Sequence, residues 1–378
     1  MTTQRQIRRF RNGNVAVATL EHGGIRELFI TVTPDGSESL PDMFKTAWRI
    51  VREAGAVVLC QDVFGVPSER DIGPPALRDV CGVVDWPVSW LEEGASLAES
   101  LTGTYLHAVV GAPVRRLADE GGVIGSVFDN AVGTYCRLDG IGPSDPSQPR
   151  EAQARQIFER IERALKQADM TFENVIRTWF YVDHILEWYG AFNATRSRFF
   201  EERGVFDRLL PASTGVGGAN HAGGALLADV LAVKPRAGAS PLRVQEVPSP
   251  LQGAAMHYRS SFSRAVEMDC GDHRRLFVSG TASIDPSGKT ARLGDVRGQI
   301  EFTVDVVEAL LRSRRMDWPD VTRAIAYVKD GNDAGLWRRH AAERGLGDLP
   351  VVVVENDICR ADLLFELEVD AIVAERGA

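Results

Sequence analysis

The sequence predicts an α+β protein built from tandem units, each a β-sheet carrying two helices. Two observations carry this. First, short β-branched and aromatic runs alternate with amphipathic helical stretches in a β-β-α-β-α-β order that is clear twice along the chain. Second, the chain repeats itself. Met170-Thr171-Phe172-Glu173-Asn174-Val175-Ile176-Arg177 is echoed by Met316-Asp317-Trp318-Pro319-Asp320-Val321-Thr322-Arg323, and each runs on to a Tyr-Val strand end, Tyr181-Val182 and Tyr327-Val328. Glu27-Leu28-Phe29-Ile30-Thr31 likewise echoes Arg275-Leu276-Phe277-Val278-Ser279, which adds a third, degenerate copy. A period of about 120–140 residues is too long for a solenoid and indicates duplicated domains. The expected division is a degenerate N-terminal unit with an extra loop (1–104), a central unit (105–236), a linker (237–252) and a C-terminal unit (253–378).

In the first unit, Val15 to Ala18 and Glu27 to Val32 read as a strand pair. A helix follows from about Pro41, with Met43, Ala47, Ile50, Val51 and Ala54 on one stripe and Gly55 as its stop. Ala56 to Phe64 is β-rich, and 66–105, with four prolines, reads as loop with short elements. The second unit opens with strand candidates Tyr105 to Val110, Val123 to Val127 and Ala131 to Leu138. Its first helix starts near Arg150 and buries Ala154, Ile157, Ile161, Ala164, Leu165 and Ala168. The strand Val175 to Val182, a helix over about 186–203, a Gly-rich loop entered at Leu210, and a strand Ala225 to Val233 complete it. Four prolines in 235–252 mark the linker. The third unit repeats the order: strand Arg275 to Ala282, a helix burying Ile300, Val304, Val307 and Leu311, strand Ala324 to Val328, a helix over about 335–343, and a closing strand pair.

Composition narrows the function. Of 378 residues, 44% are hydrophobic and 25% charged, as in a soluble globular protein. A net charge of −9 and the lack of a basic-aromatic run argue against nucleic-acid binding, and an anionic ligand would need arginines inside a pocket. Five cysteines without a CxxC pair suit a reducing cytoplasm, and seven scattered histidines show no metal-ligand spacing. The basic N-terminus lacks a following apolar stretch, and no run reaches membrane-spanning length. The expectation is a cytoplasmic protein without metal or organic cofactor, without nucleic-acid or membrane partners, and acting as a monomer.

The strongest chemical signal lies near the C-terminus, in VVVVENDICRADLLFELEVDAIV (351–373). Four valines read as a strand buried on both faces. A polar turn with the Cys359 thiol follows, then a strand with Leu364, Glu366, Glu368 and Asp370 on one face. Acidic residues on such a face also suit plain solvent exposure. Elsewhere Arg196 and Arg177 are candidate carboxylate clamps, although each also fits an exposed position. Tyr181 is a candidate donor or a core aromatic, the Thr214-Gly215 stretch offers backbone N–H groups, and His221 is a pocket-lining candidate or a plain loop histidine.

The unit carrying ENVIRTWFYV, a second helix and LPAST resembles the RidA (YjgF) superfamily, of chorismate-mutase-like units that usually assemble as trimers with sites between neighbours. Three tandem units then imply a single-chain pseudo-trimer. The superfamily's deaminases carry an Arg directly after Pro-Ala. Here Ser213 follows Pro211-Ala212, and Val351-Val352 follow Pro350, which weakens an imine or enamine deaminase reading. Over about 123–375 the chain is more similar to the chorismatase family, through RTWFYV (177–182), YGAFNATR (189–196), LPASTGVG (210–217), RLFVSGTA (275–282), GDVRGQ (294–299) and DICRADLLFELE (357–368). The resemblance implies that Glu366 is the acid that protonates the enolpyruvyl methylene of chorismate. It also implies, from Gly280 and Cys359 where dihydrodiol-forming members carry Ala, the branch that forms 3-hydroxybenzoate and pyruvate. Gly280 is expected to leave room beside the thiol. The remaining alternative is a non-catalytic regulator that binds a small ligand.

Overall fold

The structure, a computed structural model, describes residues 6–34, 38–65, 71–94, 101–238, 241–254 and 261–375. The N-terminal unit contains β1 (Ile7–Asn12), β2 (Val15–His22), β3 (Ile25–Val32), α1 (Leu40–Ala54), β4 (Val57–Gly65), α2 (Gly73–Cys81), β5 (Val88–Glu92) and β6 (Leu101–Val110). The central unit contains β7 (Val114–Asp119), β8 (Gly122–Asp129), β9 (Gly133–Ile141), α3 (Arg150–Gln167), β10 (Val175–Val182), α4 (Ile185–Glu202), β11 (Ala212–Gly217), β12 (Ala219–Asn220) and β13 (Leu226–Pro235). The C-terminal unit contains β14 (Arg243–Val247), β15 (Ala265–Asp269), β16 (His273–Ala282), α5 (Val296–Ser313), β17 (Val321–Val328), α6 (Ala334–Glu343), β18 (Val351–Glu355) and β19 (Phe365–Ala374).

The three sheets share one topology. Their orders are β1-β2-β3-β6-β4-β5, β7-β8-β9-β13-β10-β11 and β14-β15-β16-β19-β17-β18, and β12 of the central unit extends the first sheet beyond β5. Each helix pair packs an apolar stripe onto its own sheet. In α3, Ala154, Ile157, Phe158, Ile161 and Leu165 are buried; in α5, Ile300, Val304, Val307 and Leu311.

Several sequence expectations change here. Tyr105–Val110 belongs to β6, which pairs with β3 and β4, so it closes the N-terminal sheet instead of opening the central unit at 105. The segment 66–105 holds α2, β5 and the start of β6, apart from 66–70 and 95–100, which lie outside the described residues. Pro74 and Pro75 sit at the start of α2 and Pro87 ahead of β5, where they do not interrupt the ladder. Part of the expected linker, Arg243–Val247, is the edge strand β14 paired with β15; positions 239–240 lie outside the described residues. Leu210 leads into strand β11, parallel to β10, and not into a Gly-rich loop. The four valines form an edge strand, β18, with Val352 and Val354 buried and Val351 and Val353 half-buried.

A shared irregularity aligns the units. The ladder shifts register between Val58 and Cys60, between Val175 and Arg177, and between Val321 and Arg323. Cys60, Arg177 and Arg323 are therefore counterparts, as are Asp62, Trp179 and Ile325, and as are Phe64, Tyr181 and Tyr327. These inward faces meet in one interior, where Phe64, Trp179, Tyr181, Ile325 and Tyr327 form a single apolar cluster. The N-terminal unit is complete in architecture. Its degeneracy is chemical, with a thiol where the other units carry arginine.

Buried ion pairs stitch the units together. Glu27 takes a bidentate contact from Arg275 and hydrogen bonds from His22 Nε2 (2.6 Å) and His107 Nε2 (2.8 Å). Glu27 is fully buried, and desolvation there is outweighed by Arg275 and the two histidines, which hold its carboxyl well below the usual range. Replacing Arg275 by Met strands that charge and is expected to cost about 3–5 kcal/mol. Urea unfolding measures the loss, and adding Glu27→Gln recovers much of it if the cost comes from the stranded carboxylate.

Candidate active site

The third unit's last strand fixes the site. In β19, Glu366 and Glu368 alternate with Phe365, Leu367 and Val369, and all five are buried. The acidic face is therefore not solvated. It points into the junction with the central unit, where β10 and β11 lie opposite. Serine hydroxyls and main-chain groups join the two units: Ser213 N donates to Ser279 Oγ (2.8 Å) and Ser263 N to Pro211 O (3.0 Å).

Above this seam is a cavity of about 600 Å³. The central unit supplies Tyr189, Asn193 and Arg196 from α4, with Ser213 and Gly215 from β11. The spacing i, i+4, i+7 puts the three helical residues on one face. The C-terminal unit supplies Phe262, Arg264, Gly280, Ala282, Cys359, Arg360 and Glu366. Arg196 is buried, gives Nη2 to Asn193 Oδ1 at 2.7 Å, and lies within 5.9 Å of the Phe180, Phe192 and Phe262 rings. Its Nε meets no acceptor among the described residues. Arg264 donates Nε to Gly253 O (3.0 Å) and Arg360 donates Nη1 to Gly288 O (2.8 Å). Three guanidinium groups thus line one pocket of a chain whose net charge is −9.

Glu366 is 4% exposed. Burial, reinforced by the nearby charge of Glu368 and opposed by Arg177 and Arg264, pushes its carboxyl up to about 8. It is protonated at neutral pH. Burial and the Glu366 charge push the Cys359 thiol up to about 12, so it is a neutral thiol and not a nucleophilic thiolate.

Of the residues selected from sequence, Glu366, Cys359, Arg196, Gly215 and Gly280 line the cavity. Thr214 lies under its floor, where its hydroxyl donates to Glu368 and accepts from Gly280 N (3.0 Å). Arg177 does not line the cavity. It is fully buried below, donating Nη2 to Thr214 Oγ1 (2.7 Å) and to Glu368 Oε2 (2.8 Å). Tyr181 is also displaced from the pocket, because its strand face turns to the shared interior; its hydroxyl has no hydrogen-bond partner among the described residues. His221 is an exposed turn residue away from the cavity. Gly280 makes room for the acid, not for the thiol: a Cβ there would stand 2.0 Å from Glu366 Oε1. Arg264, Arg360, Tyr189 and Asn193 were not selected from sequence. Tyr189 and Asn193 were detectable from their helical spacing with Arg196, and Arg360 from its place beside Cys359, whereas Arg264 carries no local signal.

The aligned units show why one junction differs from the others. Register places Leu227 and Gly103 at the positions corresponding to Glu366, opposite Tyr181 and Phe64 as Glu366 lies opposite Tyr327. Where the C-terminal and N-terminal units meet, Val352 fills the space beside Gly103. A carboxyl stands at this position in one junction of three.

Residues 136–232 match the family described as "Chorismatase FkbO/Hyg5-like, N-terminal". A chorismatase of Streptomyces rapamycinicus is 32% identical over 221 residues, covering 52% of this chain and 64% of that protein. A 3-hydroxybenzoate synthase of Streptomyces hygroscopicus is 27% identical over 240 residues, covering 56% and 66% respectively. The chain thus spans less than two thirds of the length of these curated relatives. A crystal structure of a chorismatase superposes over 93% of this chain and 99% of its own, with a TM-score of 0.63 at 22% identity. The architecture is that of tandem RidA (YjgF)-like units. Within that architecture the chain is similar to chorismatases.

Two outcomes test the site itself. Gly280→Ala is expected to drive the Glu366 carboxyl out of its position, visible in a crystal structure of the variant. Cys359 is expected to alkylate with iodoacetamide at pH 8 roughly 10³-fold more slowly than the unfolded chain, as thiolate fractions at about 12 and about 8.5 require. Peptide mass mapping over time measures the ratio.

Proposed function

We propose that the protein converts chorismate to 3-hydroxybenzoate and pyruvate, with Glu366 as the proton donor. The observation that carries this reading is the buried Glu366 carboxyl in an arginine-lined cavity at a unit junction. Chorismate carries two carboxylates and a vinyl ether. Arg196, Arg264 and Arg360 supply cations for the carboxylates, and their bonds to Asn193 and to main-chain carbonyls hold them in place.

Protonation of the enolpyruvyl methylene leaves an oxocarbenium on the adjacent carbon, which activates the ether. The bond from the ether oxygen to the ring then breaks as the neighbouring ring hydroxyl closes on the same ring carbon and gives up its proton, so that pyruvate leaves with the ether oxygen. The hydroxyl oxygen now bridges two ring carbons, and the bridge opens at its original carbon, which leaves the oxygen where the ether stood. A carboxyl with a midpoint near 8 is protonated at neutral pH, yet remains close enough to that range to give up its proton. The ring must then lose hydrogen from carbon to become aromatic. Cys359, a neutral thiol in the same cavity, is suited to relay that proton, which an alanine methyl cannot do. The two products together contain every atom of chorismate, so the overall reaction is redox-neutral. The name of the 3-hydroxybenzoate synthase relative, together with Gly280 and Cys359, supports this product over a dihydrodiol. Ser213 after Pro211-Ala212 and Val351-Val352 after Pro350, where superfamily deaminases carry Ala-Arg after the proline, speak against imine or enamine hydrolysis.

Purified protein is expected to consume chorismate and release 3-hydroxybenzoate, identified by chromatography and mass spectrometry. Glu366→Gln should lower turnover by about 10²–10⁴-fold. Cys359→Ala should divert product toward a dihydrodiol. Because the protonated acid is the active form, kcat/KM should hold below pH 8 and fall as pH rises through about 8. Absence of chorismate turnover would overturn the proposal and leave a ligand-binding role.

A further inference from the structure

Glu368 lies two residues beyond Glu366 on the same face of β19. It accepts from Arg177 Nη2 (2.8 Å), Arg323 Nη1 (2.6 Å), Trp179 Nε1 (3.2 Å) and the Thr214 hydroxyl. Both arginines are buried, and Arg323 also reaches Asp62 Oδ2 at 3.2 Å. The pairing fixes Glu368 as an anion, with its carboxyl held below the usual range despite burial.

The junction of the N-terminal and central units repeats this hydroxyl–carboxylate pair without the arginine clamp. Ser89, the register counterpart of Thr214, donates Oγ to Asp229 Oδ1 (2.6 Å) and accepts from Gly140 N (2.8 Å), as Thr214 does from Gly280 N. Asp229 is the counterpart of Glu368, but the hydrogen bonds it receives come from Ser89 and from Gly140 N, both neutral donors. Leu227 stands there in place of Glu366. The fixed anion therefore accompanies the acid, whereas the hydroxyl–carboxylate pair alone is scaffold.

We propose that Glu368, clamped by Arg177 and Arg323, is a positioning residue that keeps the Glu366 carboxyl protonated, so that a buried ion triad outside the pocket sets the proton supply of the site. This rests on the reading of Glu366 as the acid. The groups facing Glu366 are Glu368 on its own strand, Arg177 on β10, Arg264 ahead of β15, Tyr327 on β17, Tyr189 on α4 and Cys359 in the turn. Of these, Glu368 opposes ionisation of Glu366, and Arg177 and Arg264 favour it. Removing Glu368 leaves Arg177 without its counter-charge, and removing Arg177 leaves Glu368 less neutralised. The two changes must act with opposite sign.

The test is infrared titration of the protonated Glu366 carboxyl in the full chain without substrate, with the band assigned by its loss in Glu366→Gln. Glu93, whose buried carboxyl is likewise pushed up to about 8, provides an internal reference. Glu368→Gln is expected to lower the Glu366 midpoint by about one pH unit or more, Arg177→Gln to raise it, and Arg177→Lys to return it toward wild type. The basic limb of turnover should move in step. If Glu368→Gln does not fold, a rise in Arg177→Gln that Arg177→Lys reverses upholds the inference, and its absence overturns it. Shifts of one sign, or none, overturn the inference whatever the turnover. Opposed shifts in a protein that leaves chorismate untouched uphold it and overturn the proposed substrate instead.

Discussion

The structure depends on charges that it has taken out of water. Arg177, Glu368, Arg323 and Asp62 come from three different units, and all four are buried. Desolvating them is costly, and each is tolerable only where the next supplies its partner. This makes the relative placement of the units a matter of hydrogen-bond geometry and not only of apolar contact. Glu27 and Arg275 act in the same way between the first and third units. The apolar cluster around Trp179, Tyr181 and Tyr327 is permissive of small rotations, whereas the ion pairs are not.

From the same architecture follows the asymmetry of the interior. Three copies of one topology would build three equivalent junctions. Substitution at single register positions has made them unequal: Cys60 in place of an arginine, Leu227 and Gly103 in place of Glu366, Val352 in place of Thr214. Each change removes a charge or hydroxyl and fills or empties a small volume.

Much of this was legible in the chain. The repeats around Arg177 and Arg323 and the paired helices marked the duplicated units, and Glu366, Cys359, Gly280 and Arg196, all selected from the sequence, line one cavity. The failures have common physical causes. Alternation tells which residues share a strand face but not what that face meets, so Arg177 and Tyr181 were assigned to the ligand when their face meets the other units. Pro74, Pro75 and Pro87 hid the helix α2 and the strand β5 because they fall at element starts, where sequence pattern reads them as breaks. Arg264 reaches the cavity by chain path alone, and no periodicity marks such a residue.

The two-residue strand Ala219–Asn220, which belongs to the central unit yet completes the N-terminal sheet, bears on how the chain comes to be folded. On a ribosome the N-terminal sheet emerges with the outer side of β5 unpaired, and it stays so until more than a hundred further residues have been made. An open edge of that kind invites pairing with other chains. The first unit therefore cannot reach its final hydrogen-bonded state as an independent domain. Its completion waits on the second unit, so a duplicated gene has become a single cooperative piece of polypeptide instead of three beads on a string.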